Sequence, residues 1–413
     1  MSEATPAFGA LRDIRIIDLT QMLAGPYGTM MLADHGAEVI KVEAPEGDMT
    51  RGGGPFRADD SEKVLGGYFQ SIGRNKRSVC LDLKTEAGRA ALKALVRDAD
   101  AVTENFRAGV LERLGVGYEV LREVNPRLVY GALRGFGDQR TGASPYVDWP
   151  AFDVVAQAMG GIMATTGPDA TTPTKVGPGV GDIVPGMMLA FGVLAAIHHA
   201  RRTGEGQFVD ISMVDAVLAV CERSVWQHSV LGEVPGPEGN HHPFLCPFGM
   251  LPAADGFITV AAHQDAFFKI MCNAIGAPEL PDDPRFVDVP SRTANRHVLI
   301  GQLGALTSRF TKSELMERLG GRIPFGPVMN IVDIERDPHF AVREMVVDLE
   351  QPGSATPIRV AGVPIKMTRT PGGVHRRSPY LGEDTVVQLQ RAGLTDAEIA
   401  ALIASRAART YRG

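Results

Sequence analysis

Residues 175–206, KVGPGVGDIVPGMMLAFGVLAAIHHARRTGEG, set one carboxylate, Asp182, behind a run of glycines and ahead of a long uncharged segment. A carboxylate with its ordinary pKa of about 4 is ionised at neutral pH, so it can attack a reactive acyl donor without a base to activate it. Asp is also a favoured helix N-cap, and Ile183 onward reads as a helix with Pro185 in its first turn. Capping accounts for Asp182 but not for Gly177, Gly179, Gly181 and Gly186, which point to backbone that must approach something closely. On the residues alone, both the cap and the ligand-facing acid stand.

Other chemistries find less support. The first βα turn, QMLAGPYG, carries Gly25 and Gly28 but not the G-x-G-x-x-G fingerprint of a dinucleotide site, and there is neither a P-loop nor a G-x-S-x-G elbow. His198–His199 and His241–His242 are adjacent pairs, and neighbours on a helix point about 100° apart, so no metal site is expected. Cys80, Cys221, Cys246 and Cys272 are scattered without a C-x-x-C, which argues against a disulfide framework and for a reducing compartment.

The elements that must position Asp182 read as α/β. IRIIDL, the helical GPYGTMMLADHG and AEVIKVE form a βαβ unit, and SVCLDL, EAGRAALKALVRDA, AVTENF and LVYGALRGFG continue the alternation, predicting a parallel, doubly wound, Rossmann-like sheet. GQFVDISMVDAVLAVCERSVWQHSVL predicts a strand and one long helix, and the Pro/Gly-rich GEVPGPEGNHHPFLCPFG marks a boundary. The chain therefore divides into a large domain over 1–225, a small α+β domain over 226–325, and a segment 326–413 that rejoins the first. Length supports two cores: 413 residues, 44% hydrophobic and 22% charged, are ordinary for a soluble two-domain enzyme. The net charge of −6, without a basic block, argues against nucleic acid as a partner. MSEATPAFGALRD does not read as a secretory signal, and the apolar run 183–197 falls short of the ~20 residues a membrane span needs. A cytoplasmic protein without a membrane partner is expected.

Six stretches together carry a family resemblance: IIDLTQMLAGPYGTMMLADHGAEVIKVEAPEGDMTRG, GRNKRSVCLDLKTEAGRAAL, TENFRAGVLERLGVGYEVL, AFDVVAQAMGGIMATTG, GDIVPGMMLAFGVLAAIHHARRTGEGQFVDISM and PFGPVMNIVDIERDPHF. In order and with few gaps from about Leu11 to Leu394, they resemble the class III coenzyme A transferases, which include formyl-CoA transferase and are related to the α-methylacyl-CoA racemases. The resemblance implies two subunits threaded through each other as interlocked rings, with acyl-CoA and a small carboxylic acid as substrates and no tightly bound cofactor. It places the nucleophilic aspartate on Asp182 and CoA contacts on Met22, Leu23, Ala24, Leu81, Lys84, Asn105, Phe106 and Arg113. Lys84 and Arg113 would meet phosphates. Ala44 and Pro150 stand where family members carry basic residues, so Arg51, Arg77 or Arg134 would have to supply other contacts. Backbone N–H groups of glycines such as Gly181 would stabilise oxyanions.

Three alternatives bear on function. A racemase needs a histidine before the aspartate of a G-H-D pattern; this chain has AFD, with Phe152 before Asp153, and Phe cannot shuttle a proton. Asp153 itself reads either as support for Asp182 or as a cap. A non-catalytic acyl-CoA-binding protein is the third reading. For the acceptor, the region GNHHPFLCPFGMLPAADG lacks the glycine run of formyl-CoA transferase and suggests a small dicarboxylate, with succinyl-CoA as donor. His241, His242 and Arg223 are candidates to hold its second carboxylate.

Overall fold

The computed structural model describes residues 8–411, which divide into two compact units. The first gathers the chain up to Ile162, then Val176–Trp226, and then the chain from Pro338 onward; the second holds Met163–Lys175 and Gln227–Asp337. The chain thus returns to the first unit at Pro338 rather than at 326, and Met163–Lys175, expected in the large domain, belongs to the smaller unit.

In the first unit, β1 (Arg15–Asp18), β2 (Glu38–Glu43), β3 (Arg77–Leu81), β4 (Ala101–Glu104), β5 (Val129–Arg134) and β6 (Phe208–Ser212) run parallel in the order β3-β2-β1-β4-β5-β6. Successive strand residues feed opposite cores. Ile16, Val39, Ala101 and Val129 face the helices Ala24–Asp34 and Val180–Thr203, while Ile17, Ile40, Val102 and Tyr130 face Glu86–Val96, Thr385–Arg391 and Asp396–Ala404. Burial on both faces is why these strands read as continuous apolar runs rather than as an alternation. Strands β2 and β3 lie on one side of β1 and β4 to β6 on the other, so the loops leaving β1 and β4 diverge at a topological switch point, where a crevice must open.

The Val180–Thr203 helix begins before Ile183, which puts Pro185 inside it, and at 24 residues it is longer than the apolar run suggested. By length and composition it could cross a bilayer. Its Leu189, Ala190, Val193, Ala196, Ile197 and Ala200 are buried in the core on one face of the sheet, which is the position of a core helix. The single long helix expected after β6 is two, Met213–Val220 and Glu222–Leu231, separated at Cys221, whose N–H bonds to both Val217 O and Leu218 O.

The second unit pairs β7 (Phe248–Ala253), β8 (Gly256–Ala261) and β9 (Phe325–Pro327) antiparallel. Its helices Asp265–Ala274, Arg296–Thr307 and Lys312–Leu319 bury Phe268, Leu299, Leu303 and Leu315 against Leu251 and Ile258. Back in the first unit, β10 (Val346–Leu349) and β11 (Ile358–Ala361) form an antiparallel ribbon, and β12 (Ala408–Arg409) adds an antiparallel edge to β3.

Candidate active site

A cleft of about 300 Å³ opens at the switch point of the first unit. The turn after β1 contributes Gln21, Met22, Leu23 and Ala24; the loop after β4 contributes Asn105, Phe106 and Arg107; Phe152, Trp149, Tyr68 and Asp182 complete the wall. Eight of the residues expected from sequence therefore meet here: Met22, Leu23, Ala24, Asn105, Phe106, Arg134, Phe152 and Asp182. Met22 adopts a left-handed backbone with φ 67°, which costs a non-glycine residue about 1–2 kcal/mol and has to be held by its neighbours.

Asp182 is not the helix cap. Gly179 takes that position, and Asp182 is the third helical residue, its backbone N–H bonded to Gly179 O at 3.1 Å. Among the described residues nothing donates a hydrogen bond to its carboxylate. Burial, and after it the negative charge of Asp153, push its pKa up to about 6. The group therefore stays mostly ionised at pH 7 but is more basic than an exposed aspartate, which suits a nucleophile. Its charge is felt across the cleft: burial first, then Asp182 and Asp48, raise the Tyr68 phenol to about 12.

The glycines around Asp182 serve packing as well. A Cβ on Gly181 would stand 2.5 Å from Asp153 O, and one on Gly186 would stand 2.3 Å from Ala24 O. A Cβ on Gly28 would meet Gly186 O at 2.3 Å, so the Ala24–Asp34 and Val180–Thr203 helices cross backbone against backbone. The Gly181 N–H, expected to face an oxyanion, instead donates to Asp153 Oδ1 at 2.8 Å. The Asp153 carboxylate also accepts from the Gln157 amide at 2.9 Å, and Gln157 Oε1 accepts the Val176 N–H at 2.8 Å. Asp153 thus pins the start of the Asp182 helix, and the buried Gln157, which sequence reasoning passed over, ties in the loop before it.

The cations need correction. Arg51 is buried in an ion pair with Glu43 at 2.6 Å, and Arg134 is buried between Glu104 and Asp138. Arg77 pairs with Asp384 at 3.2 Å. All three are spent on ion pairs within the fold, and of them Arg134 alone lines the Asp182 cleft. Leu81 is wholly buried in the core, which removes its side chain as a ligand contact. Lys84 and Arg113 are exposed on the segments that follow β3 and β4, and neither lines the Asp182 cleft. Arg107, exposed and lining that cleft, was missed although it stands directly after Phe106 in the same TENFRAG stretch. His241 and His242 belong to the second unit, where His241 bridges Gly249 and the His242 ring accepts the Phe244 N–H at 3.1 Å.

Comparison with known proteins agrees with this architecture. The family model described as CoA-transferase family III matches residues 11–385. The chain is 49% identical to the succinyl-CoA:mesaconate CoA-transferase of Haloarcula hispanica, covering 94% of this chain and 97% of that one. It is 38% identical to the succinate–glutarate CoA-transferase of Agrobacterium fabrum, covering 90% and 93%. The crystal structure of a CAIB/BAIF family protein from Brucella suis superposes with a TM-score of 0.83 at 34% identity, over 93% of this chain and all of that one. The chain belongs to CoA-transferase family III, enzymes that move coenzyme A between an acyl-CoA and a carboxylic acid.

Proposed function

We propose that this protein transfers CoA from succinyl-CoA to a small dicarboxylate of the mesaconate kind, with Asp182 as the nucleophile. The observation that carries the reading is a partly buried, unpaired carboxylate with a raised pKa in the switch-point cleft. Asp182 attacks the thioester carbonyl and expels CoA thiolate, leaving a mixed anhydride. The thiolate then attacks the aspartyl carbonyl, succinate departs, and Asp182 carries CoA as a thioester. The acceptor carboxylate repeats the two steps in reverse order and leaves as its CoA ester, restoring the free carboxylate. No proton is gained or lost in the cycle, so no general acid or base is needed.

Exposed Lys84, Arg107 and Arg113 supply charge for the phosphates of CoA, which enters and leaves as a substrate. The acceptor class follows the relatives, whose names specify mesaconate and glutarate. Met187 and Phe191, the latter 77% exposed, leave a large apolar stripe on the Asp182 helix, and we assign it to the interface of a cytoplasmic homodimer.

The test is a screen of acceptors against succinyl-CoA over a range of pH. Mesaconate or a dicarboxylate of similar length should outrun formate, oxalate and monocarboxylic acids; a monocarboxylate in first place would overturn the substrate assignment. The rate of the first half-reaction should fall tenfold per pH unit below about 6, because a protonated Asp182 cannot attack. An acid limb centred near 4 would contradict the raised pKa.

A further inference from the structure

The Asn105 amide is already occupied. Its Oδ1 accepts the Gln21 N–H at 2.8 Å and its Nδ2 donates to Gln21 O at 2.7 Å, so one side chain satisfies both backbone groups of one residue. The place matters. The last backbone bond between the β1 end and β4 is Leu19 N to Thr103 O at 2.8 Å, after which the two chains part to form the cleft. Asn105 extends the β1–β4 pairing by a side chain where backbone can no longer reach.

What the clamp restrains is the left-handed Met22, the very next residue. Before the clamp, Thr20 is secured twice: its N–H reaches Asp18 Oδ1 at 3.0 Å and its carbonyl accepts Lys41 Nζ at 2.7 Å. On the Asn105 side, Phe106 N–H donates to Glu104 Oε2 at 2.7 Å, so the clamp is itself anchored. Beyond Met22, Leu23 Cδ2 lies 3.3 Å from where a Cβ on Gly179, the cap of the Asp182 helix, would stand. Movement of the turn is therefore movement of the surface beside the nucleophile.

We propose that Asn105 is a positioning residue, which fixes the Gln21–Leu23 turn beside Asp182 rather than holding CoA through its amide. The proposal rests on the reading of this cleft as the transfer site. A reacting atom displaced by about 1 Å can lose about a hundredfold in rate, whereas the distant parts of CoA would still bind.

The experiment compares full-length wild type with Asn105→Ala and Asn105→Asp. Expected for Asn105→Ala is a ten- to hundredfold fall in kcat for CoA exchange with succinyl-CoA, with the Kd for free CoA changed less than about threefold. Asn105→Asp keeps the shape but sets an oxygen against Gln21 O, and should lose at least as much. A Kd weakened tenfold or more at unchanged kcat would make Asn105 a direct contact and overturn the proposal, as would wild-type kcat in both variants. Amide hydrogen exchange decides the clamp independently of activity: Gln21 should be protected in the wild type without CoA, and an unprotected Gln21 overturns the proposal even if neither variant folds. Wild type without any CoA exchange would instead defeat the transfer reading while leaving the Gln21 result to stand.

Discussion

Asp182→Asn is expected to lose CoA transfer by at least about 10⁴-fold, the scale seen when a covalent nucleophile is removed. The amide fills the same space but cannot form the anhydride, and the Asp153 carboxylate cannot substitute because the Gly181 N–H and the Gln157 amide hold it. Stability should move the other way. A carboxyl whose folded pKa is raised to about 6 makes the folded state bind the extra proton, so its ionisation above pH 6 costs stability that is restored as pH falls toward 4. Removing the charge should leave the melting temperature at pH 7 equal or higher, and no cap is lost because Gly179 holds that position. Exchange of labelled CoA into acyl-CoA measures the first effect, and hydroxylamine trapping of the aspartyl thioester should succeed only with wild type. Turnover above a few per cent in both Asp182→Asn and Asp182→Ala would sink the nucleophile assignment.

The second large effect is on stability and lies beneath the same turn. Lys41, 1% exposed, donates to Asp48 at 2.9 Å and to Thr20 O, and the Asp48 carboxylate is equally buried. Burial alone would raise the Asp48 pKa, but the charge and hydrogen bond of Lys41, with bonds from Thr50, outweigh it and hold it below the usual value. Lys41→Met removes the cation and strands the anion, which should cost about 3–5 kcal/mol at pH 7. In wild type, the contribution of Asp48 is present above its unfolded pKa of about 4 and is lost as pH falls through its lower folded pKa. In the variant, burial raises the Asp48 pKa without Lys41 to oppose it, and protonation relieves the penalty. The difference between the two denaturation midpoints should therefore begin to narrow above about pH 4 and go on narrowing as pH falls through the lower folded pKa of the wild type. A gap that is small at pH 7, or one that widens in acid, would show that the pair does not act this way.

Particular residues show how far the sequence alone could be read. The alternation of Ile16 and Ile17 between two cores follows from strand geometry, so the apolar runs alone located the parallel sheet. Asp182 stood out because it sits among glycines that capping alone does not explain, and TENFRAG marked the loop that brings Asn105 and Phe106 beside it. The misreadings share a cause. Arg51 and Leu81 have residue types that fit a ligand site, but whether a guanidinium is spent on Glu43 or a leucine on the core depends on partners that no local spacing reveals. Glycines are similarly ambiguous: Gly186 is needed because Ala24, 162 positions earlier, crosses it.

Periodicity and turn residues, properties of neighbouring residues, determined the fold class, while the six family-like stretches carried the resemblance. It was the resemblance that put the nucleophile on Asp182, where the residues alone left a helix cap open. Tertiary structure decided the rest: that Gly179 and not Asp182 caps the helix, that burial, and after it Asp153, raises the Asp182 pKa, and that the Asn105 amide is spent on Gln21. Each of these depends on atoms brought together by strand order at the switch point. Burial and electrostatic coupling act through space, and a linear sequence does not show which distant groups will share a cleft.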